Sequence, residues 1–186
     1  MEKTKKILDA ALKLFVEYGF HGTPTSKIAQ EAGVSNGTLF NKFNTKDELI
    51  VALYVDIKKR MFEYVIENTK QENSIKETFK GQYLASLYWA QDNKNEFIFT
   101  EQFKTSPFLT LIAPEEIEKS LKPFYMLLEQ GIKENIIKPL PVEYLFTLIS
   151  SHTYGLNEYL LKNEFSKTKQ HQIISDTFEL LWDMIT

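Results

Sequence analysis

The stretch Thr23-Pro24-Thr25-Ser26-Lys27-Ile28-Ala29-Gln30-Glu31-Ala32-Gly33-Val34-Ser35-Asn36-Gly37-Thr38-Leu39-Phe40-Asn41-Lys42-Phe43 holds two short amphipathic segments joined by one glycine. Thr23-Pro24 reads as a helix N-cap followed by proline at the first helical position, where its missing N–H costs nothing. Ile28, Ala29 and Ala32 then share one face. Gly33 ends the segment, because a chain turning sharply out of a helix often needs positive φ. Ser35 is suited to cap a further short helix running to about Phe43, with Val34, Leu39 and Phe43 turned to the same small core. Two short helices joined by a tight glycine-containing turn form a helix-turn-helix.

The flanking sequence extends the helical pattern in both directions. Upstream, Ile7, Ala11, Leu14, Phe15 and Tyr18 recur at three- and four-residue spacing, and Gly19 supplies a stop. Downstream, Thr45-Lys46-Asp47-Glu48 is a capping box. It opens a long helix whose apolar face is Leu49, Ile50, Leu53, Ile57, Met61 and Val65. Ser74 to Glu77 is a second capping box, followed by a face of Phe79, Tyr83, Leu87 and Ala90. Phe97, Phe99 and Phe103 predict a short helix. Ser106-Pro107 and Ala113-Pro114 bracket a loop, because residues before proline avoid the helical region. Leu121, Phe124, Leu128 and Ile132 form another face; Pro139 and Pro141 interrupt it, and two last helices run over about 142–163 and 168–185. The expectation is an all-α protein of about nine helices. A helix-turn-helix domain would occupy residues 1–47 and a helical domain residues 48–186.

Of the 186 residues, 43% are hydrophobic and 25% charged, enough apolar side chain for a sizeable core. The formal charge of -3 is unevenly spread. Residues 1–60 carry ten Lys or Arg against seven Asp or Glu, leaving twelve against eighteen in the rest of the chain. A polyanion partner would therefore meet the amino-terminal third. The absence of cysteine excludes disulfides, thiolate metal sites and a cysteine nucleophile. The charged start has no apolar signal segment behind it, and no stretch reaches the ~20 apolar residues of a membrane span, so the cytoplasm is the expected compartment. His21, His152 and His171 are far apart, and no nucleotide-binding glycine loop, HExxH or nucleophile-elbow motif is present. An enzyme is not expected, nor is a metal site or cofactor.

In a helix-turn-helix the second helix lies in the major groove with the residues near its start on base edges. With Leu39 and Phe43 turned inward, the outward set is Asn36, Gly37, Thr38, Phe40, Asn41 and Lys42, following Ser35. Asn41 suits bidentate bonding to adenine, and Thr38 or Phe40 suits a thymine methyl. Gly37 admits close backbone approach. Thr25, in the first turn of the preceding helix, suits a phosphate. Lys42 and Lys46 add charge contacts that position the protein without choosing a sequence.

From Leu14-Phe15-Val16-Glu17-Tyr18-Gly19-Phe20-His21-Gly22-Thr23, through Ile28 to Phe43, to Lys46-Asp47-Glu48-Leu49, the chain resembles the TetR family DNA-binding domain, without a gap over about residues 3–52. It departs from the family at two contact positions. Phe40 stands where members usually place Tyr, which removes a hydroxyl-to-phosphate bond, and Asn41 stands where His or Tyr is common. The resemblance implies a ligand-responsive regulator, most often a repressor, that binds a palindromic operator in double-stranded DNA as a homodimer and is released by a small molecule. Activation is also open, since the sign depends on where the operator sits relative to the promoter.

For the body, the resemblance implies a ligand cavity and dimerisation through the last two long helices. Phe62, Trp89, Phe103 and Tyr125, with His152 and Asn157 as hydrogen-bonding groups, are the candidate cavity residues for an apolar or aromatic effector, although each aromatic also suits simple packing. The stripes containing Leu145, Ile149 and Leu156, and Ile174, Phe178, Leu181 and Trp182, are the candidate dimer interface. The alternative is that they pack on their own subunit.

Overall fold

The computed structural model describes residues 2–70 and 74–186. Among them are nine α-helices and no strand: α1 (Glu2–Tyr18), α2 (Thr25–Glu31), α3 (Asn36–Phe40), α4 (Lys46–Asn68), α5 (Ile75–Asp92), α6 (Lys94–Lys104), α7 (Pro114–Lys133), α8 (Val142–Lys162) and α9 (Lys167–Ile185). A 3₁₀ turn, Pro107–Leu111, occupies the expected loop before α7. The all-α class and the helix count follow the sequence pattern. No described helix is long and apolar enough to cross a membrane.

The chain divides into two compact units. One comprises Met1–Arg60 with Asn93–Ala113, and the other Met61–Asp92 with Pro114–Thr186. The division differs from a boundary after residue 47, because the first half of α4, α6 and the 3₁₀ turn all group with the amino-terminal helices. The reason is aromatic packing on α1. Phe99 of α6 lies 6.2 Å from Phe15 and 5.6 Å from Phe20, and Phe108 lies 5.2 Å from Phe20, ring centre to ring centre. On α4, Leu49, Ile50, Leu53 and Ile57 are all within the first unit and buried.

Glycine and caps punctuate the first unit as the sequence predicts. Gly19 (φ 70°) ends α1 with its N–H on the Phe15 carbonyl at 2.8 Å. Gly33 (φ 65°) lets the chain leave α2, with the Val34 N–H returning to the Ala29 carbonyl at 2.9 Å. Two readings need correction. Pro24, not Thr23, is the residue before α2, and Thr23 is fully buried with its hydroxyl directed to the carbonyls of Gly19 (2.8 Å) and Leu14 (3.1 Å). It pins the interhelix loop to the end of α1 instead of capping α2. The second correction is to the length of α3, which closes at Phe40. Lys42 and Phe43 follow as a turn, both N–H groups bonded to the Leu39 carbonyl at 2.9 Å. At α4 the Glu48 N–H meets Thr45 Oγ1 at 3.0 Å, but the Glu48 carboxylate reaches one residue further back and accepts from both nitrogens of Asn44 at 2.9 Å.

In the second unit α5, α7, α8 and α9 surround one core. Phe79, Tyr83 and Leu87 of α5 meet Leu128 of α7, Leu145, Ile149 and Leu160 of α8, and Ile174, Phe178 and Trp182 of α9. The segment after α7 is tied to the end of α9 by the Lys138 N–H on the Ile185 carbonyl at 2.8 Å. On the outer side Glu179 is held by Lys76 (2.7 Å) and Lys80 (3.0 Å), joining α9 to α5.

Candidate nucleic-acid interface

Leu39 is wholly buried and Phe43 nearly so, and these two anchors decide which side of α3 faces outward. Asn36, Gly37, Asn41 and Lys42 are exposed, Phe40 keeps 43% of its surface, and Thr38 is half-buried. These positions lie on one short helix and its closing turn. Thr25 begins the adjoining α2 and Lys46 begins α4, both half-buried. Partial burial pushes the Lys46 ammonium down from its ordinary pKa, against the opposing pull of Asp47.

Ser35 has a structural task. Its Oγ accepts the Thr38 N–H at 3.1 Å and pairs with the Thr38 hydroxyl at 3.0 Å. A helix of five residues cannot sustain itself, so this cap and the two buried anchors hold α3 in place. With its hydroxyl turned to Ser35, Thr38 is left with its methyl as the group to offer a base. Two pairings around α2 were not legible in the sequence. The Lys27 ammonium sits 3.5 Å over the Tyr18 ring, and Lys13 bonds Glu31 at 2.6 Å. The second pair holds Glu31 below the usual carboxylate range and Lys13 above its own. Both fasten α2 to α1, through residues too far apart in sequence for a periodicity to connect.

The six candidate cavity residues do not form one group. Phe103 is core of the first unit, stacked on Tyr54 at 4.0 Å, and Phe62, in the second unit, is 45% exposed. The second unit contains Trp89, Tyr125, His152 and Asn157. Tyr125 is half-buried with its ring edge-on to Phe146 at 5.6 Å. Asn157 is buried and accepts from the Gln91 side-chain amide at 2.9 Å, so it is already engaged. The His152 ring lies 6.2 Å from that of Tyr83. Burial lowers the His152 pKa and raises that of Tyr83. Tyr83 and Gln91 were missed as polar residues because both fall on the inner side of an otherwise apolar helix.

The proposed dimer stripes also need correction. Leu145, Ile149, Leu156, Ile174, Phe178, Leu181 and Trp182 are 0–8% exposed in the single chain, because they fill the core between α5, α8 and α9. Within the single chain they pack inside their own subunit, the alternative reading of these stripes. The outward apolar residues of the last two helices are Tyr144, Tyr154 and Tyr159 on α8 and Leu180 and Met184 on α9.

Residues 7–53 match the model of the bacterial regulatory proteins of the tetR family. The fatty acid metabolism regulator protein of Bacillus subtilis (strain 168) is 33% identical over 75 residues, which is 40% of this chain and 39% of that protein. That match therefore spans well under half the length of the relative. Among solved structures, a tetR family transcription regulator from Shewanella sp. PV-4 superposes with a TM-score of 0.90 at 27% identity, over 98% of this chain and 97% of that one. The regulator FadR from Bacillus subtilis, solved in complex with stearoyl-CoA, has a TM-score of 0.79 at 24% identity over 98% and 99% of the two chains. Residues 7–53 match the tetR family model through both helices of the helix-turn-helix, and the helical course agrees nearly end to end with a solved tetR family regulator, so the chain has the fold of that family and resembles it in sequence over its amino-terminal segment.

Proposed function

We propose that this chain is a transcriptional regulator, not an enzyme, that binds a palindromic operator as a homodimer, most simply as a repressor, and releases it on binding a small apolar or aromatic molecule. One observation carries the DNA-binding part: α3 presents a mixed polar and aromatic edge to solvent from a buried anchor of Leu39 and Phe43. In this reading Asn41 bonds adenine, the Thr38 methyl and the Phe40 ring touch thymine methyls, and Gly37 lets the backbone come close. Thr25, Lys42 and Lys46 meet phosphates, and Ser35 positions the helix from behind.

The dimer forms through the outward faces of α8 and α9, where Tyr144, Tyr154, Tyr159, Leu180 and Met184 leave apolar surface exposed. Leu180 keeps 69% of its surface in the single chain, which a two-fold partner would cover. Two recognition helices would then address half-sites about 34 Å apart, or a multiple of that distance. The second unit senses the effector, and the relative bound to stearoyl-CoA supports an apolar ligand there. Helix α4 runs without a break from residues of the first unit into residues of the second, which makes it the lever between effector and DNA. Operator and effector must weaken each other by the same factor, typically worth about 1–3 kcal/mol.

The deciding experiment is selection of duplexes from a random pool at about 150 mM salt, where specific binding separates from the counterion-release background. Recovery of an inverted repeat supports the proposal. Recovery of no consensus, with unrelated duplexes bound within about tenfold of one another, overturns it in favour of a non-specific DNA binder.

A further inference from the structure

Among the described residues of the second unit, the Tyr83 hydroxyl and His152 Nδ1 are two of four buried side-chain polar atoms without a hydrogen-bond partner, the others being Thr69 Oγ1 and Gln91 Oε1. Tyr83 is 5% exposed, and its hydroxyl finds no hydrogen bond among the described residues; the buried Nδ1 of His152 finds none either. Their rings stand 6.2 Å apart, centre to centre, with 38° between their planes, so one α5 residue and one α8 residue are ring neighbours. An unmet buried donor or acceptor costs about 1–3 kcal/mol, and native interiors retain few of them. Two on neighbouring rings point to a bound group that completes the bonding. Around them the interior is aromatic: Phe178 is 5.5 Å from the Tyr83 ring, and Phe79 and Trp182 pack against Phe178 in turn. Such walls favour a flat aromatic guest. His152 itself is only half-buried, although its Nδ1 is not accessible.

We propose that Tyr83 and His152 bind the carbonyl oxygen of an uncharged aromatic molecule held between α5 and α8. The assignment rests on the reading of the second unit as an effector sensor and names the class of effector. The Tyr83 hydroxyl donates to the carbonyl, and His152 donates to it from Nδ1. Charge argues for an uncharged guest. Burial keeps the phenol and the imidazole neutral, and Lys80, one turn before Tyr83 on α5, is already bound to Glu179. A carboxylate placed there would be a buried charge without a counterion, which is far more costly than a neutral carbonyl.

The test titrates the full-length, DNA-free protein with three matched probes: 2-acetylnaphthalene, 2-naphthoate and 2-ethylnaphthalene. Binding of 2-acetylnaphthalene at least tenfold tighter than either other probe is expected. Tyr83→Phe should weaken 2-acetylnaphthalene at least tenfold, leave 2-ethylnaphthalene unchanged, and leave the Tm of the free protein equal or higher, since the hydroxyl it removes has no hydrogen-bond partner among the described residues. His152→Phe should weaken the same probe selectively. The proposal is overturned if 2-acetylnaphthalene shows no saturable binding up to about 1 mM, or if 2-naphthoate binds as tightly. It is equally overturned if Tyr83→Phe stays within twofold, or if that substitution lowers the free-protein Tm, which would mean that the hydroxyl is already satisfied. Duplex selection run in parallel keeps the readings apart: an inverted repeat recovered together with a failed titration sinks this assignment alone, whereas lack of a consensus sinks the regulator reading.

Discussion

Replacing Thr23 with Val keeps the side-chain volume and removes the hydroxyl that approaches the carbonyls of Gly19 at 2.8 Å and Leu14 at 3.1 Å. A hydroxyl has one proton to give, so a single shared hydrogen bond is lost, but it is lost from a residue with no accessible surface. Leaving a buried carbonyl unmet costs about 1–3 kcal/mol, and with no cavity created the low half of that range, about 1–2 kcal/mol, applies. The first unit has about eighty residues, a size at which 1 kcal/mol moves Tm by about 4–8 °C, so its melting should fall by roughly 5–12 °C. The two tryptophans, Trp89 and Trp182, both belong to the second unit. Fluorescence therefore follows that unit while far-UV circular dichroism follows both, and the Val variant should melt earlier by dichroism than by fluorescence. Thr23→Ser, which keeps the bond and loses one buried methyl, should cost about 0.8 kcal/mol. A Val variant as stable as the natural protein, or more stable than the Ser variant, would refute the role given to the hydroxyl.

Three further outcomes follow from the same structure. Gly33→Ala should lose about 1–2 kcal/mol in urea denaturation, all of it from the left-handed backbone, because a Cβ there meets nothing within 4 Å; a neutral result would mean that the turn relaxes out of positive φ. Hydrogen bonds from Lys76 and Lys80 hold the Glu179 carboxyl below its ordinary value of 4.5, so its contribution is complete above that pH and lost as pH falls through the lowered value. The Tm gap between the natural protein and Glu179→Gln should accordingly be present at about pH 6 and shrink as the pH falls below 4.5, and a gap that widens on acidification would reverse the argument. On a selected operator, Asn41→Ala should relax one base position at a cost of about 1–3 kcal/mol, whereas Lys42→Ala should weaken all sequences alike and lower the salt slope by about 1; equal losses on every sequence for Asn41→Ala would remove it as a base reader.

Local chemistry was legible where a residue's neighbours along the chain decide its role. Gly19, Gly33, Ser35 and Ser74 each end or cap a helix for reasons contained within a few residues, and α8 and α9 lie within a residue or so of where Pro141 and the apolar period put them. Thr23 was misread because a threonine before a proline has two good uses, and the choice depends on a carbonyl at the end of another helix. The stripes at Leu145 and Ile174 were misassigned for a related reason: periodicity identifies the buried face but not what covers it, and here α5 does so. Phe62 and Phe103 look alike in sequence and end in opposite environments, since Phe62 points away from the face shared by Leu53 and Ile57 while Phe103 stacks on Tyr54.

Helix α3 owes its place to residues that do not read DNA in the proposed scheme, namely Leu39, Phe43 and the Ser35 cap, while the exposed side chains of Asn36, Phe40, Asn41 and Lys42 contribute little to holding it there. Substitutions at those exposed positions should change the preferred operator at small cost to folding, because surface changes away from caps and cores usually stay within about 0.5 kcal/mol. The protein thereby separates vocabulary from grammar: a lineage, or a designer, can rewrite which sequence is recognised one side chain at a time, and every intermediate remains a folded protein on which selection can act.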